Sequence, residues 1–364
     1  MWLMIFGISI AAVILGLIYM IAAVSKFPGI KKMSKERKWV GYLISFLIIA
    51  AGLVVMGYIT SPINAAVIFL NLILFMLIFA LAAKIIKKRS EKFYWQGWLP
   101  VIACTVYLLI AYYLAVNVWR TDYSLTTDKE VGTLRVAVIA DSHMGTTFDG
   151  EGFEKHLEKI QADNPDILLI AGDFVDDGTS DEDMVRACAA LGEFSCKYGV
   201  YFAYGNHDRG YYRSHGKGFT DTDLVSELEK NGVTVLKDDY VLIDDRFYVV
   251  GREDAGVTGR MSAEELIGSV PDKDKYMIVL DHQPNDYTNE AATDADLVLS
   301  GHTHGGQLFP ITYIGEWFGV NDRTYGYEKR EGTEFIVTSG ISDWEIIFKS
   351  GTKSEYVLIN INGK

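Results

Sequence analysis

Four long apolar runs alternate with short charged segments up to residue 120, where the pattern changes abruptly. Each run lacks charged side chains and is about 20 residues or longer, enough to cross a hydrocarbon core of roughly 30 Å. The runs cover residues 2–24, 39–60, 63–83 and 98–118. We therefore predict a transmembrane region of four helices over residues 1–120.

After a short polar segment at residues 121–133, which we predict to be a linker, the pattern becomes that of an α/β domain. Apolar runs rich in Val, Ile and Leu, such as residues 134–141 and 166–173, are typical of strands buried on both faces. Segments with helical spacing separate the early strands, whereas several later strands follow one another. This order predicts mixed β-sheets with flanking helices over residues 134–364.

Charge divides the chain at the same place. Up to Arg120 there are 12 Lys and Arg against 2 Asp and Glu, whereas 22 Lys and Arg and 45 Asp and Glu follow. The loops at residues 25–38 and 84–92 hold six and five positive charges, and the loop between the second and third runs holds none. Under the positive-inside rule both basic loops are cytoplasmic, so the acidic domain is predicted to lie on the extracytoplasmic side of the cell membrane. Its acidity disfavours nucleic acid as a partner.

Seven side chains with metal-binding chemistry fall directly after predicted strands, where ligands collect in open α/β sheets. They are Asp141, His143, Asp173, Asn206, His282, His302 and His304. The set offers oxygen and nitrogen but no thiolate, which suits Mn²⁺, Fe or Zn²⁺. Because seven ligands exceed the needs of one four-coordinate ion, we expect two ions that share a carboxylate, about 3.5–4 Å apart.

The motifs Asp-x-His, Gly-Asp, Gly-Asn-His-Asp, a solitary His and Gly-His-x-His follow one another along the chain. This order resembles that of the calcineurin-like metallophosphoesterases, from about Leu134 to Ile361. The ending "GHTHGGQ" is similar to a bacterial, membrane-associated branch that includes UDP-2,3-diacylglucosamine pyrophosphatases. The resemblance implies an αββα sandwich of two mixed sheets. It also implies hydrolysis of a phosphoester or pyrophosphate bond at two divalent ions, with Mn²⁺ favoured.

Carried over residue by residue, the resemblance also implies individual roles. One ion would be held by Asp141, His143, Asp173 and His304, and the other by Asp173, Asn206, His282 and His302. Asp173 would thus bridge the ions, and a hydroxide between them would attack phosphorus. His207 would act as general acid, with Asp208 orienting its ring.

Three further residues, Arg209, Gly305 and Gly306, are candidate substrate contacts. The following segment, residues 305–332, is dense in Phe, Tyr, Trp and Ile, so it forms either core under a long loop or an apolar rim that meets lipid. UDP-diacylglucosamine is normally met on the cytoplasmic face, which conflicts with the predicted topology. We therefore leave the substrate open and favour an extracytoplasmic lipid-linked compound, either phospholipid-like or a prenyl pyrophosphate.

A different class of function is a membrane sensor or transport-associated protein whose soluble domain binds metal or phosphate without turnover. The four apolar runs contain no Asp, Glu, Lys, Arg or His, the side chains that usually mark an ion path through a membrane. Transport is therefore disfavoured.

Overall fold

The computed structural model describes residues 2–86, 94–210 and 218–364, with side chains from residue 12 onward. The chain divides into two compact units, Met1–Ala111 and Tyr112–Lys364. The first unit contains the helices α1 (Trp2–Val24), α2 (Pro28–Met33), α3 (Lys38–Ile59) and α4 (Pro62–Ile86), and most of α5 (Trp95–Val116). Buried Met20, Ile49, Ile73 and Met76 form a small core in this unit.

Three helices in the described residues are long and apolar enough to cross a membrane, namely α3, α4 and α5. Large apolar side chains on α3, such as Tyr58 at 92% exposure, point outward as they would toward lipid. The described side chains of α1 cover an apolar stretch, Ala12–Val24, that is shorter than a span. The fourth span therefore stays a prediction. The basic loop at residues 84–92 lies mostly outside the described residues.

In the second unit, the described residues form twelve strands and six α-helices. The strands are β1 (Trp119–Thr126), β2 (Thr133–Ile139), β3 (Ile167–Ala171), β4 (Val200–Ala203), β5 (Thr234–Leu236), β6 (Asp239–Ile243), β7 (Phe247–Gly251), β8 (Tyr276–Leu280), β9 (Leu297–Ser300), β10 (Gly326–Arg330), β11 (Thr333–Val337) and β12 (Glu355–Asn362). The helices are α6 (Gly150–Ala162), α7 (Asp181–Glu193), α8 (Asp221–Lys230), α9 (Ala263–Ser269), α10 (Tyr287–Ala291) and α11 (Ile314–Trp317).

The strands form two mixed sheets. Sheet A has the order β1-β12-β2-β3-β4-β5, and sheet B has the order β10-β11-β9-β8-β7-β6. In sheet A, β2 to β5 are parallel and β12 runs antiparallel to β2. In sheet B, β7, β8, β9 and β11 are parallel, and the two edge strands are antiparallel to their neighbours. Parallel neighbours bring several strand ends to the same edge of each sheet.

Three apolar layers hold the second unit together. Residues such as Leu169 and Ile278 fill the space between the two sheets. Helices α6, α7 and α8 cover the outer face of sheet A, and α9 and α10 cover that of sheet B. Side-chain caps fix the helix starts; Thr220 and Ser262, for example, each form a capping box. The two mixed sheets and their flanking helices are therefore confirmed.

Residues 121–133, predicted to be a linker, instead include most of strand β1. This strand pairs in parallel with β12 at the edge of sheet A, with Asp122 opposite Leu358. Its inward side chains, Tyr123 and Leu125, are partly or fully buried, while the intervening residues are polar. An edge strand with one solvated face needs only a short alternation of apolar and polar residues. Because most residues of this segment are polar, the alternation was not recognised in the sequence.

Candidate metal centre

The seven predicted ligands lie on turns that follow five strands. Asp141 and His143 follow β2, Asp173 follows β3, and Asn206 follows β4 in sheet A. His282 follows β8, and the pair His302 and His304 follows β9 in sheet B. Both sheets therefore contribute side chains, and the contacts between them define two groups.

The first group consists of Asp141, His143 and His304, whose nearest ligand atoms lie within 4.8 Å of one another. All three are buried. Asp141 Oδ1 lies 3.9 Å from His143 Nε2 and 3.8 Å from His304 Nε2. The distances leave room for an ion between the three side chains.

The second group consists of Asp173, His282 and His302, with the same spacing of ligand atoms. Asp173 Oδ2 lies 3.0 Å from His282 Nε2, about the separation of two neighbouring ligands that each lie about 2.1 Å from one ion. The same oxygen lies 3.5 Å from Nε2 of His143 in the first group. Asp173 therefore faces both groups.

Each of three imidazoles turns its Nδ1 toward an outer acceptor. His282 Nδ1 lies 2.8 Å from the carbonyl oxygen of Ala171, and His143 Nδ1 lies 3.3 Å from Asp176 Oδ2. His304 Nδ1 lies 3.4 Å from the carbonyl oxygen of Ser342. The N–H that His282 donates outward leaves its Nε2 lone pair free for a metal, the usual arrangement behind ligating histidines.

Among the buried atoms in this region that lack a hydrogen-bond partner in the described residues, four can face a metal ion. They are His143 Nε2, Asp173 Oδ2, Asn206 Oδ1 and His282 Nε2. Unpaired buried polar atoms are costly, so their convergence on one region indicates that they bind something there. Bound cations would satisfy all four acceptors, and the residues present therefore fit divalent metal ions.

The backbone of these turns is unusual. Asp141, His143, Asp173, His302 and His304 all have positive φ values, between 34° and 69°. Residues other than glycine adopt this conformation rarely, and it is concentrated at functional sites. Gly301 packs so closely that a Cβ there would lie 2.5 Å from Asp141 Oδ2. The strained turns, and the lack of a side chain at Gly301, allow the predicted ligands to lie close together.

Burial and neighbouring charges shift the pKa values of the ligands in different directions. Burial lowers the pKa of His302 to about 4, so this imidazole is neutral. Burial also acts to lower the pKa of His282, but the carboxylates of Asp173 and Asp141 outweigh it and raise that pKa to about 10. A proton on His282 thus takes the place of a cation when the metal is removed.

His207 lies beside the ligands. Its backbone N–H donates to Asp173 Oδ1 at 2.8 Å, and its ring centroid lies 4.9 Å from that of His143 and 5.2 Å from that of Trp344. Both oxygens of Asp208 accept backbone N–H groups, two each, from the turns after β3 and β4. Asp208 therefore holds backbone in place, and its orientation of the His207 ring stays a prediction.

The three candidate substrate contacts, Arg209, Gly305 and Gly306, each interact with other residues of the protein. Arg209 forms an ion pair with Glu253, and its guanidinium carbon lies 3.6 Å from the centroid of the Tyr204 ring. Gly305 and Gly306 have φ values of 58° and 71°, as a tight turn requires, and their N–H groups donate to the side chain and the carbonyl of Thr303. A role in substrate binding stays a prediction for these three residues.

Three supporting residues were not predicted. Asp176 lies behind His143, and Asp343 Oδ1 lies 3.6 Å from His304 Nδ1. Lys349 is fully buried, with Nζ 3.1 Å from Asp343 Oδ1 and 2.6 Å from the carbonyl oxygen of Ser339. Asp343 lies six residues after β11, and this strand-end position was the only sequence signal for it.

A cavity of about 320 Å³ adjoins the second group. Its lining includes His302 and Thr303 as well as the apolar side chains of Leu308, Ile311 and Ile314. Beyond it, residues 309–320 carry several large apolar side chains that are exposed. The predicted alternative of a buried core at residues 305–332 therefore does not hold for this part of the segment.

Comparison with known proteins agrees with this geometry. The family model for calcineurin-like phosphoesterases matches residues 134–306. A metallophosphoesterase of Campylobacter jejuni is 30% identical over 279 residues, covering 73% of this chain and 70% of that protein. A transmembrane protein with a metallophosphoesterase domain from Danio rerio is 27% identical, covering 70% of this chain and 61% of that protein. A metallophosphoesterase of Aquifex aeolicus is 29% identical, covering 70% of this chain and 95% of that protein. The chain belongs to the calcineurin-like phosphoesterase family, and it is a metal-dependent phosphoester hydrolase with membrane-type helices ahead of its catalytic unit.

Proposed function

We propose that this protein is a membrane-anchored phosphoesterase that uses two divalent ions to hydrolyse a phosphoester or pyrophosphate bond in a lipid-linked substrate. The observation that carries the proposal is the convergence of unpaired Nε2 and carboxylate atoms from both sheets on one buried region. Buried acceptors usually have a partner, so the convergence of these atoms supports bound cations.

We assign one ion to Asp141, His143, Asp173 and His304, and the other to Asp173, Asn206, His282 and His302. The position of Asp173 Oδ2, facing His143 and His282, supports its assignment as the bridge. Bound there, the two ions would supply a deprotonated nucleophile at neutral pH and neutralise the phosphoryl oxygens. We favour Mn²⁺ among the ions that carboxylate and imidazole ligands without thiolate suit, which also include Fe and Zn²⁺.

His207 is proposed to donate a proton to the leaving oxygen. Burial lowers the pKa of His207 to about 4 in the free protein, so the ring is neutral before substrate binds. The negative charge of a bound phosphate raises the pKa of a nearby imidazole and favours its protonated form. The ring is held for this step by its contacts with His143 and Trp344.

Two observations support a lipid-linked substrate outside the cytoplasm. The cavity beside His302 has an apolar wall of Leu308, Ile311 and Ile314, which suits the apolar part of a phospholipid-like or prenyl-pyrophosphate compound. The basic loops of the membrane region support the extracytoplasmic side for the catalytic unit. Protease treatment of intact cells tests this orientation: cleavage within residues 122–364 only after lysis would place the unit in the cytoplasm.

Metal analysis of the full chain in detergent, coupled to hydrolysis of lipid phosphates, lipid pyrophosphates and an aryl phosphate, tests the function. The unaltered protein should bind two ions per chain and hydrolyse at least one lipid substrate. Asp173→Asn should abolish hydrolysis and reduce bound metal, whereas Asp294→Asn, at an exposed carboxylate, should do neither. Bound metal without hydrolysis of any substrate would support a sensor instead of an enzyme.

A further inference from the structure

Residues 309–320 expose an unusual amount of apolar surface. The exposed side chains are those of Phe309, Ile311, Tyr313, Ile314, Trp317, Phe318 and Val320. Trp317 and Phe318 are 71% and 78% exposed. A soluble surface rarely gathers so many large apolar groups in one short stretch, and such patches mark sites of interaction. We call these twelve residues the apolar segment.

The apolar segment is a folded element, because backbone hydrogen bonds fix the turn that carries its exposed side chains. In α11 the N–H groups of Trp317 and Phe318 donate to the carbonyl oxygens of Tyr313 and Ile314 at 2.9 and 3.1 Å. The N–H of Val320 donates to the carbonyl oxygen of Gly315 at 2.8 Å. The rings of Tyr313 and Trp317 lie 6.4 Å apart on the same face. The backbone conformation of the turn thus places these two aromatic rings on one face.

The charge of the apolar segment differs from that of the unit that carries it. Residues 309–320 include one charged side chain, Glu316, and its Oε2 accepts the N–H of Thr324 at 3.0 Å. The chain after residue 120 holds 45 acidic against 22 basic residues. An anionic lipid surface repels an acidic unit, and a nearly neutral face such as this one meets less of that repulsion.

We propose that the apolar segment docks on the surface of a lipid bilayer. Three helices in the described residues are long and apolar enough to cross a membrane, and a chain anchored by them always has a bilayer within reach. Trp, Tyr and Phe at the end of a short amphipathic element are the side chains that favour the boundary between headgroups and acyl chains. The segment also adjoins the cavity beside His302, which would place that cavity next to the lipid surface.

A second copy of the chain fits the apolar segment less well. Stable interfaces between proteins use about 20–30 residues from each partner. The apolar segment offers seven large side chains on a single turn, and the neighbouring residues Asp322 and Arg323 form ion pairs within their own chain. A bilayer needs no matched partner surface and accepts a patch of this size.

A photo-crosslinking experiment on the full chain in phosphatidylcholine and phosphatidylglycerol vesicles tests the docking. Phe318→p-benzoylphenylalanine replaces one aromatic ring by another, so little change in folding is expected. Trp317→p-benzoylphenylalanine serves as a second position. Leu242, an exposed apolar residue on β6, is the negative control, and Tyr58 on α3 is the positive control.

We expect lipid adducts at positions 317 and 318 to be at least several times more abundant than at position 242, and to approach those at position 58. Adduct levels equal to those at position 242 at both test positions would overturn the proposal. Adducts that join two chains, or two parts of one chain, would overturn it as well. The measurement needs no turnover, so it separates failure of the docking from failure of the proposed hydrolysis.

Discussion

Asp208 Oδ2 accepts the backbone N–H of Asp173 at 2.8 Å, and Asp173 Oδ1 accepts the backbone N–H of His207 at the same distance. The turns after β3 and β4 are therefore joined by hydrogen bonds in both directions. Asp208 also accepts N–H groups from Gly205, Phe174 and Val175, at 2.8, 2.9 and 3.1 Å. One carboxylate thus fixes the backbone on either side of the proposed bridging ligand.

In Asp208→Asn, one carboxylate oxygen is replaced by an NH₂ group, which cannot accept a hydrogen bond. Two of the four backbone N–H donors therefore lose their acceptor. We expect the free energy of unfolding to fall by about 2–3 kcal/mol, the cost of leaving buried donors unpaired. Denaturant titration of the full chain in detergent, followed by near-UV circular dichroism, measures it. The control is Asp149→Asn at the start of α6, where Asn caps as well as Asp. Equal stability of the two variants would show that the four bonds contribute little.

His207→Gln should affect substrates according to their leaving groups. A general acid matters most when the leaving oxygen is strongly basic, so hydrolysis of an alkyl phosphate ester should fall by about 10²–10⁴-fold. A nitrophenyl ester, whose leaving group needs no proton, should lose far less. The rate ratio of the two esters gives the answer, with His156→Gln on α6 as control. An equal loss for both esters would exclude proton donation by His207.

Asp343→Asn should weaken metal binding without removing a proposed ligand. Asp343 lies behind His304 and is paired with buried Lys349, so its charge helps to orient the imidazole. Replacing such supporting residues typically lowers metal affinity by about 10–100-fold. Competition with a fluorescent chelator measures the change, and Asp294→Asn is the control. Unchanged affinity in Asp343→Asn would mean that His304 is oriented by Ser342 alone.

The metal-free protein should lose stability as the pH rises above neutrality. The pKa of His282 is about 10 because the carboxylates of Asp173 and Asp141 outweigh the effect of burial. Since an unfolded histidine has a pKa of about 6.5, the protonated ring contributes fully below pH 6.5, and its contribution is lost as the pH rises toward 10.

Thermal unfolding of chelator-treated protein between about pH 6 and 10 tests this dependence. The melting temperature should fall with rising pH, and His282→Gln should flatten the curve. With metal bound the proton is displaced, so the metal-loaded protein should show a smaller dependence. A metal-free protein that changes no more than its His282→Gln variant would contradict the assigned pKa.

The positions of the proposed ligands could be picked out in the sequence because they follow runs of buried residues that are easily recognised. Asp173 and His282, for example, stand at the ends of strands whose residues are all buried, and parallel strands bring such positions together. The candidate spans α3, α4 and α5 were equally easy to recognise, since a run of about 20 apolar residues without charge is typical of a membrane-crossing helix.

Other features depended on contacts that leave no local pattern. Strand β1 forms because β12, more than 200 residues later, offers it a free edge. Lys349 pairs with Asp343 inside the protein, although lysine is usually exposed. The exposure of Trp317 and Phe318 could not be distinguished from burial by composition, since both arrangements use the same residues.

Each group of proposed ligands draws on both sheets: Asp141 and His143 from sheet A meet His304 from sheet B, and Asp173 meets His282 and His302. Every ion held there is thus a cross-link between the two halves of the sandwich. Without metal, the two sheets would lose these cross-links, so the protein would be less stable. Proteases would then cleave it more readily in a cell that is short of metal. Supply of the metal would govern how long each molecule survives as well as how fast it works.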